Sequence, residues 1–335
     1  MTEETGSVSA TLTKLTETSR QNQPVWQTID AQVVKSKLTR TSRFSPECEL
    51  TIEGAKYTVE KVTNNEKGDI GRIYQLLVAN FKPEEVEPEE VLIERIDRNP
   101  IPEVAYKHQA FAIKNAQGEM VTAFVGVHLD LRDEQGHPTG ETMLAIGYVA
   151  TNGDKRFNDL AREIYNSALI DAALEAESWG KKLVLAEGEC TNDSEPFWNA
   201  VDLNRIYIET GEKDLTEIPY NQPPHAFNPE TGEVPEGAGA VPEHLMVQTF
   251  GPIALSKERL IQSVSVSYRE LYFKSRNNFR NDDAYQKHER AVHQEETMIK
   301  GFLDAPGQLI FLGRANRKKV QEEGFTVHGQ EDATL

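Results

Sequence analysis

The chain has 335 residues, of which 38% are apolar, and carries a formal net charge of −18 from 54 acidic and 36 basic side chains. That length suits one large body with added segments, or two domains, with ample apolar material for a core. The acidic excess repels a phosphate backbone, and the basic stretches at residues 35–43 and 314–319 are short and sit beside polar or acidic sequence, so nucleic acid is not the expected partner.

Residues 1–50 are rich in Thr, Ser, Gln and charge and are expected to form a largely disordered arm. Within it Trp26, Ile29, Val33 and Val34 have the spacing of one short amphipathic helix. Strand character begins at residues 50–52 and 57–62, where Thr51, Thr58, Val59 and Val62 are β-branched. A helix follows, with Asp69 as its expected N-cap and Ile70, Ile73, Leu76, Leu77 and Phe81 at helical spacing before Pro83. After an acidic connector, residues 91–96 predict a second short helix.

The period then changes. Residues 110–114 and 120–130 read as strands flanking the turn Asn115-Ala116-Gln117-Gly118, and residues 143–150 as a third strand of a meander. Residues 156–179 predict the longest helix, with Ala161, Tyr165, Ala168, Leu169, Ala172 and Ala176 on one face and Gly180 closing it. A short strand at 183–186, a helix at 197–201 opened by Pro196, and extended sequence at 205–209 and 244–250 complete the middle. Residues 219–242, rich in Gly and Pro, read as a long loop. Beyond Pro252 the sequence turns helical and polar, with Ser256 as a cap and a further helix at 291–303. Residues 308–313 read as a strand or docking segment, and the last dozen as a mobile tail.

Over residues 55–250 this order of elements, together with the segment Arg156-Phe157-Asn158-Asp159-Leu160-Ala161 after the third meander strand, resembles the GNAT superfamily of acyl-CoA N-acyltransferases. Arg156 and Ala161 fit the Gln/Arg-x-x-Gly-x-Gly/Ala pattern of that family, and Asp159 stands at its first glycine. A second likeness runs from Ser194 through Phe197 and Trp198 to Tyr207. The resemblance implies an α/β fold, a GNAT-like mixed central sheet with helices on both faces, spanning residues 51–250 between the arm and a mainly helical C-terminal extension at 251–325, with 326–335 as tail. It also implies acetyl-CoA as co-substrate. Its pyrophosphate would lie on backbone amides of residues 156–161, at the positive end of a helix dipole. The amides of Tyr148, Val149 and Ala150 would face the thioester. The implied activity is acetyl transfer to a primary amine by direct attack in a ternary complex. The alternative is a catalytically inactive acyl-CoA sensor or interaction module, to which Asp159 and Trp198, in place of the family's helix tyrosine, lend weight.

For chemistry, Glu187 and Glu189 after the fifth core strand are candidate general bases, against the blander reading of two solvated loop carboxylates. Tyr207 is a candidate acid for the leaving thiolate, and Trp198 reads as core. Cys190 reads as an inert buried thiol. The eight histidines are dispersed, and His288 and His293 share a helix but not a face, so no metal site is expected. Two distant cysteines, Cys48 and Cys190, an acidic Ser/Thr-rich start and the lack of an apolar run near the roughly 20 residues of a membrane span point to a cytoplasmic protein without membrane contact. A homodimer is compatible with the sequence.

Overall fold

The computed structural model describes residues 23–35, 38–65, 68–82, 85–97, 107–133, 135–152, 158–225, 227–236, 239–251, 255–272 and 276–329. The fold is mixed α/β, with a large sheet of antiparallel and parallel pairings and helices packed on it. The chain divides into two compact units, residues 24–185 and residues 186–335, with Gln23 grouped with the second.

In the first unit α1 (Val25–Lys35) leads into β1 (Thr39–Arg40), β2 (Cys48–Ile52) and β3 (Ala55–Lys61). Then come α2 (Asp69–Val78), α3 (Glu89–Asp97) and the meander β4 (Lys107–Asn115), β5 (Met120–Arg132) and β6 (Pro138–Thr151). The unit ends with α4 (Asn158–Ser178) and the start of β7 (Lys182–Cys190). Strands β1 to β6 pair in sequence order, each antiparallel to the next.

Structure therefore begins well before residue 50. Ile29 and Gln32 of α1 are buried, and Trp26 Nε1 donates to Glu177 Oε1 on α4 at 2.7 Å. The expectation for residues 1–22 lies outside the described residues. Asp69 is the first helical residue of α2 rather than its cap, since Gly68 precedes it in the left-handed region and Asn65 Oδ1 accepts from Ile70 N at 3.2 Å.

Alternation along the strands sorts the helices onto two faces. Ala110 and Ala112 of β4, Ala123 and Val125 of β5, and Tyr148 and Ala150 of β6 form one core with Ile70, Ile73 and Leu77 of α2 and Leu92 and Ile96 of α3. The opposite face of β4 carries Gln109, whose Nε2 donates to Asp171 Oδ2 on α4 at 2.9 Å. The sheet-facing side of α4 is not purely apolar. Lys61 Nζ bridges Asp171, at 2.5 Å, and Glu175, at 3.2 Å, and Arg40 Nη1 meets the buried Glu163 at 2.6 Å. Burial disfavours the Glu175 anion, but His128 Nδ1 at 3.5 Å, a hydrogen bond from Lys107 and the charge of Lys61 hold its pKa down at about 2.

The second unit continues β7 and adds α5 (Glu195–Ala200), β8 (Asn204–Gly211), β9 (Asp214–Glu217), β10 (Tyr220–Gln222) and β11 (Val241–Thr249). Strand β11 pairs with β8 and β10, so the expected loop at 219–242 contains a strand. α6 (Lys257–Ser267) is capped by Ser256, whose Oγ accepts from Arg259 N at 3.1 Å, and runs into a π-helical turn, Tyr268–Tyr272. α7 (Asp282–Leu303) begins earlier than its apolar spacing indicates, because Asn281 caps it with Oδ1 accepting from Ala284 N at 2.8 Å. The chain closes with β12 (Leu309–Leu312), α8 (Arg314–Glu322) and β13 (Thr326–His328). β12 is antiparallel to β8 and β13 parallel to β9, so this end of the chain adds strands to the sheet as well as helices.

Candidate active site

In the first unit the predicted cofactor residues fall on β6 and on the start of α4. Register slips between Tyr148 and Ile146 opposite Val125 and Gly126, leaving Gly147 as the extra residue of a β-bulge, exposed where its neighbours are buried. A bulge turns the following peptide groups out of the regular ladder. Gly126 makes it possible, because a Cβ there would stand 2.7 Å from Ala145 O and 2.8 Å from the Phe124 ring. Tyr148 is fastened by its side chain: its OH donates to Glu85 O at 3.0 Å and accepts from Glu87 N at 3.3 Å. Val149 is half-buried and Ala150 buried.

Arg156 and Phe157 lie outside the described residues, and Asn158 opens α4. The Asp159 carboxylate pairs with Arg162 Nη1 at 3.1 Å, while the side chains of Leu160 and Ala161 are buried in the core. What this turn can offer a ligand is therefore backbone N–H.

In the second unit β7 runs to Cys190, so Glu187 and Glu189 are strand residues rather than solvated loop carboxylates, and at spacing two they share one face. Glu187 is 4% exposed; its Oε1 accepts from Ser267 Oγ of α6, Ser263 stands nearby with its own hydroxyl donated to Leu260 O, and its Oε2 is buried without a hydrogen bond. Burial, only partly offset by these hydroxyls, pushes its pKa from 4.5 up to about 7. Glu189 is partly exposed and its Oε1 accepts from the hydroxyls of both Tyr220 and Tyr272, with Gln222 contributing a further hydrogen bond. Its pKa is also raised by burial, against the pull of those donors. Burial and the nearby Glu189 in turn push the phenols of Tyr220 and Tyr272 well above 10, so both stay protonated as donors.

Tyr268 completes the cluster. Its ring stands edge-on to Tyr220 at 6.0 Å and to Tyr272 at 5.5 Å, and its OH donates to Asn221 O at 3.0 Å. The sequence reading missed Tyr220, Tyr268, Tyr272, Ser263, Ser267 and Gln222. Tyr268 and Tyr272 at helical spacing were a faint signal, but nothing local links them to β7 or to Tyr220.

Tyr207 is not brought to these carboxylates. It is packed among Leu215, Ile310, Leu312, Val320 and Phe325, and burial together with Glu217 raises its pKa. Around it lies a charge-balanced network. Arg205 meets Glu195 at 2.6 Å and Glu217 at 3.4 Å, Arg317 meets Glu195 at 2.7 Å, and His244 Nδ1 lies 2.7 Å from Glu217. Trp198 is buried beside Phe197, and Cys190 lies against Met246 Sδ with its thiol pKa pushed up by burial. Among the described residues no group of three His, Cys, Asp or Glu side chains is placed to hold a metal, and no helix is long and apolar enough to cross a membrane.

No family model and no curated protein matches the sequence. Among solved structures the chain is similar to a conserved protein of unknown function from Enterococcus faecalis V583, at 16% identity over 50% of this chain and 38% of that one with a TM-score of 0.33. It is similar to the aminoglycoside 6'-N-acetyltransferase from Enterococcus faecium, at 13% identity over 59% of this chain and 98% of that one, TM-score 0.32. A tandem GNAT protein from the clavulanic acid biosynthesis pathway is matched at 12% identity over 46% of this chain and 48% of that one, TM-score 0.31. The chain thus spans less than half the length of the first and third of these. Across residues 48–211 the elements come in the order read from the sequence, and an aminoglycoside 6'-N-acetyltransferase and a tandem GNAT protein are among the solved structures to which this chain is similar.

Proposed function

We propose that this chain is an acyl-CoA-dependent N-acyltransferase that moves the acetyl group of acetyl-CoA to a primary amine by direct attack in a ternary complex. The observation that carries the reading is Glu187, a buried strand carboxylate with one free oxygen and a pKa of about 7. A general base works best when its pKa lies near the working pH, and an amine acceptor arrives protonated. Glu187 takes one proton from the ammonium, the freed nitrogen attacks the thioester carbon, the C–N bond forms and the C–S bond breaks. The second amine proton ends on the coenzyme A thiolate.

The bulge at Gly147 supports the amides of Tyr148, Val149 and Ala150 as donors to the thioester oxygen, where fixed N–H dipoles stabilise developing charge. The first turn of α4 supports backbone binding of the pyrophosphate by residues 156–161. Glu189 positions the acceptor in this reading, and Tyr207 belongs to the core. The thioester is already activated, so the reaction draws on no metal. A cytoplasmic location and self-association as a dimer complete the reading.

Asp159 and Trp198 favour a second reading, a GNAT-fold acyl-CoA sensor without turnover. Calorimetric titration with acetyl-CoA, followed by thiol release across an amine panel, separates the two. Saturable binding with release supports the transferase, binding without release supports the sensor, and no binding rejects both.

A further inference from the structure

Four acids of the second unit differ in what they are paired with. Glu195 and Glu217 are buried, and each has its cation: Arg205 and Arg317 for the first, Arg205 for the second. Among the described residues Glu187 and Glu189 have none. Their partners are the hydroxyls of Ser267, Tyr220 and Tyr272, with the amide of Gln222 beside Glu189, all neutral, and among the described residues neither carboxylate makes an ion pair. Buried carboxylates are ordinarily paired with a positive group or kept neutral. Here Glu187 Oε2 is left unpartnered in a side chain almost wholly buried, on the strand face it shares with Glu189. Three tyrosine rings stand beside the pair, and aromatic faces favour a neighbouring cation. Glu189 remains partly exposed, so the pair is not sealed from solvent.

We infer that Glu187 and Glu189, walled by Tyr220, Tyr268 and Tyr272, form a subsite for a dication, an aliphatic diamine or longer polyamine. Glu189, fixed by its two tyrosine donors, holds the ammonium that does not react. Glu187, two residues away and about 7 Å along the strand, faces the ammonium that does. The identification of this dication as the acyl acceptor rests on the transferase reading; the cation site itself does not.

The test is calorimetric titration of the full chain at about pH 8 with butane-1,4-diamine, butylamine and butan-1-ol, each with and without coenzyme A. The diamine is expected to bind at least about tenfold more tightly than butylamine, with no saturable binding of the alcohol. Glu189→Gln should bring the diamine down to the butylamine level. Tyr272→Phe, which keeps the ring and removes one donor to Glu189, should weaken the diamine several-fold and leave butylamine unchanged. Should Glu189→Gln fail to fold, Tyr272→Phe carries the test by that selective loss. Equal affinities for the two amines, or undiminished diamine binding in the folded variants, overturn the inference. Acetyl-CoA binding and thiol release with other amines but no diamine binding would sink this subsite and leave the transferase standing. Diamine binding without acetyl-CoA binding would do the reverse.

Discussion

At Glu187 the fold keeps an acid almost wholly buried, and the consequences for activity and for stability have opposite signs. Glu187→Gln is expected to lower kcat/KM by about 10²- to 10⁴-fold and to remove the acidic limb of the pH–rate profile near pH 7, read by thiol release. For stability, the unfolded chain releases this proton near pH 4.5 and the folded chain near 7, so folding takes up a proton between those values. Stability contributed by the protonated acid is full below 4.5 and is lost as pH rises through 7, where the ionised buried form costs roughly 3 kcal/mol. The same Glu187→Gln variant should therefore melt higher than the parent at about pH 8 and alike near pH 4. An equal shift at both pH values would show that ionisation is not the cause.

Two elements carry strain or charge that a single change should reveal. Gly126 faces the bulge of β6, and a methyl group there meets Ala145 O and the Phe124 ring inside van der Waals distance. Gly126→Ala is expected to cost about 1–3 kcal/mol in urea unfolding, through displacement of the bulge, and to lower acetyl-CoA affinity alongside. On α4, Lys61 is the shared cation of Asp171 and Glu175 in a mostly buried setting. Lys61→Met leaves those carboxylates one cation short, with roughly 3 kcal/mol of destabilisation expected by the same measurement near pH 7. Glu175, held near pKa 2, supplies stability above pH 4.5 that fades as pH falls towards 2, so the penalty should shrink on acidification.

For the chain as a whole, the last 30 or so residues belong to the second unit rather than hanging from it. Ile310, Leu312, Val320 and Phe325 cover Tyr207 and Leu215, and Arg317 completes the charge network at Glu195. Deleting residues 305–335 uncovers that core and leaves Glu195 with one arginine fewer. The truncated chain is expected to lose its cooperative thermal transition or to aggregate, as followed by circular dichroism and light scattering. A truncated chain that melts as sharply as the parent would show the segment to be dispensable.

What the sequence determined by itself was the order of elements from residue 48 to residue 211, because hydrophobic period is a local property. The switch from helical spacing in Ile70, Ile73 and Leu77 to alternation in β4 and β5, the Asn115–Gly118 turn and the Ser256 cap are all written within a few neighbouring residues. It also marked Glu187 and Glu189, by their place after a core strand. Tertiary structure alone decided what those acids are. The depth of burial on β7, the hydroxyls brought from α6, the π-helical turn and β10, and the absence of a cation among their described partners arise from contacts between residues 31 to 83 positions apart. No local pattern encodes such contacts, and it is long-range desolvation that moves a carboxyl proton into the range where it can do chemistry.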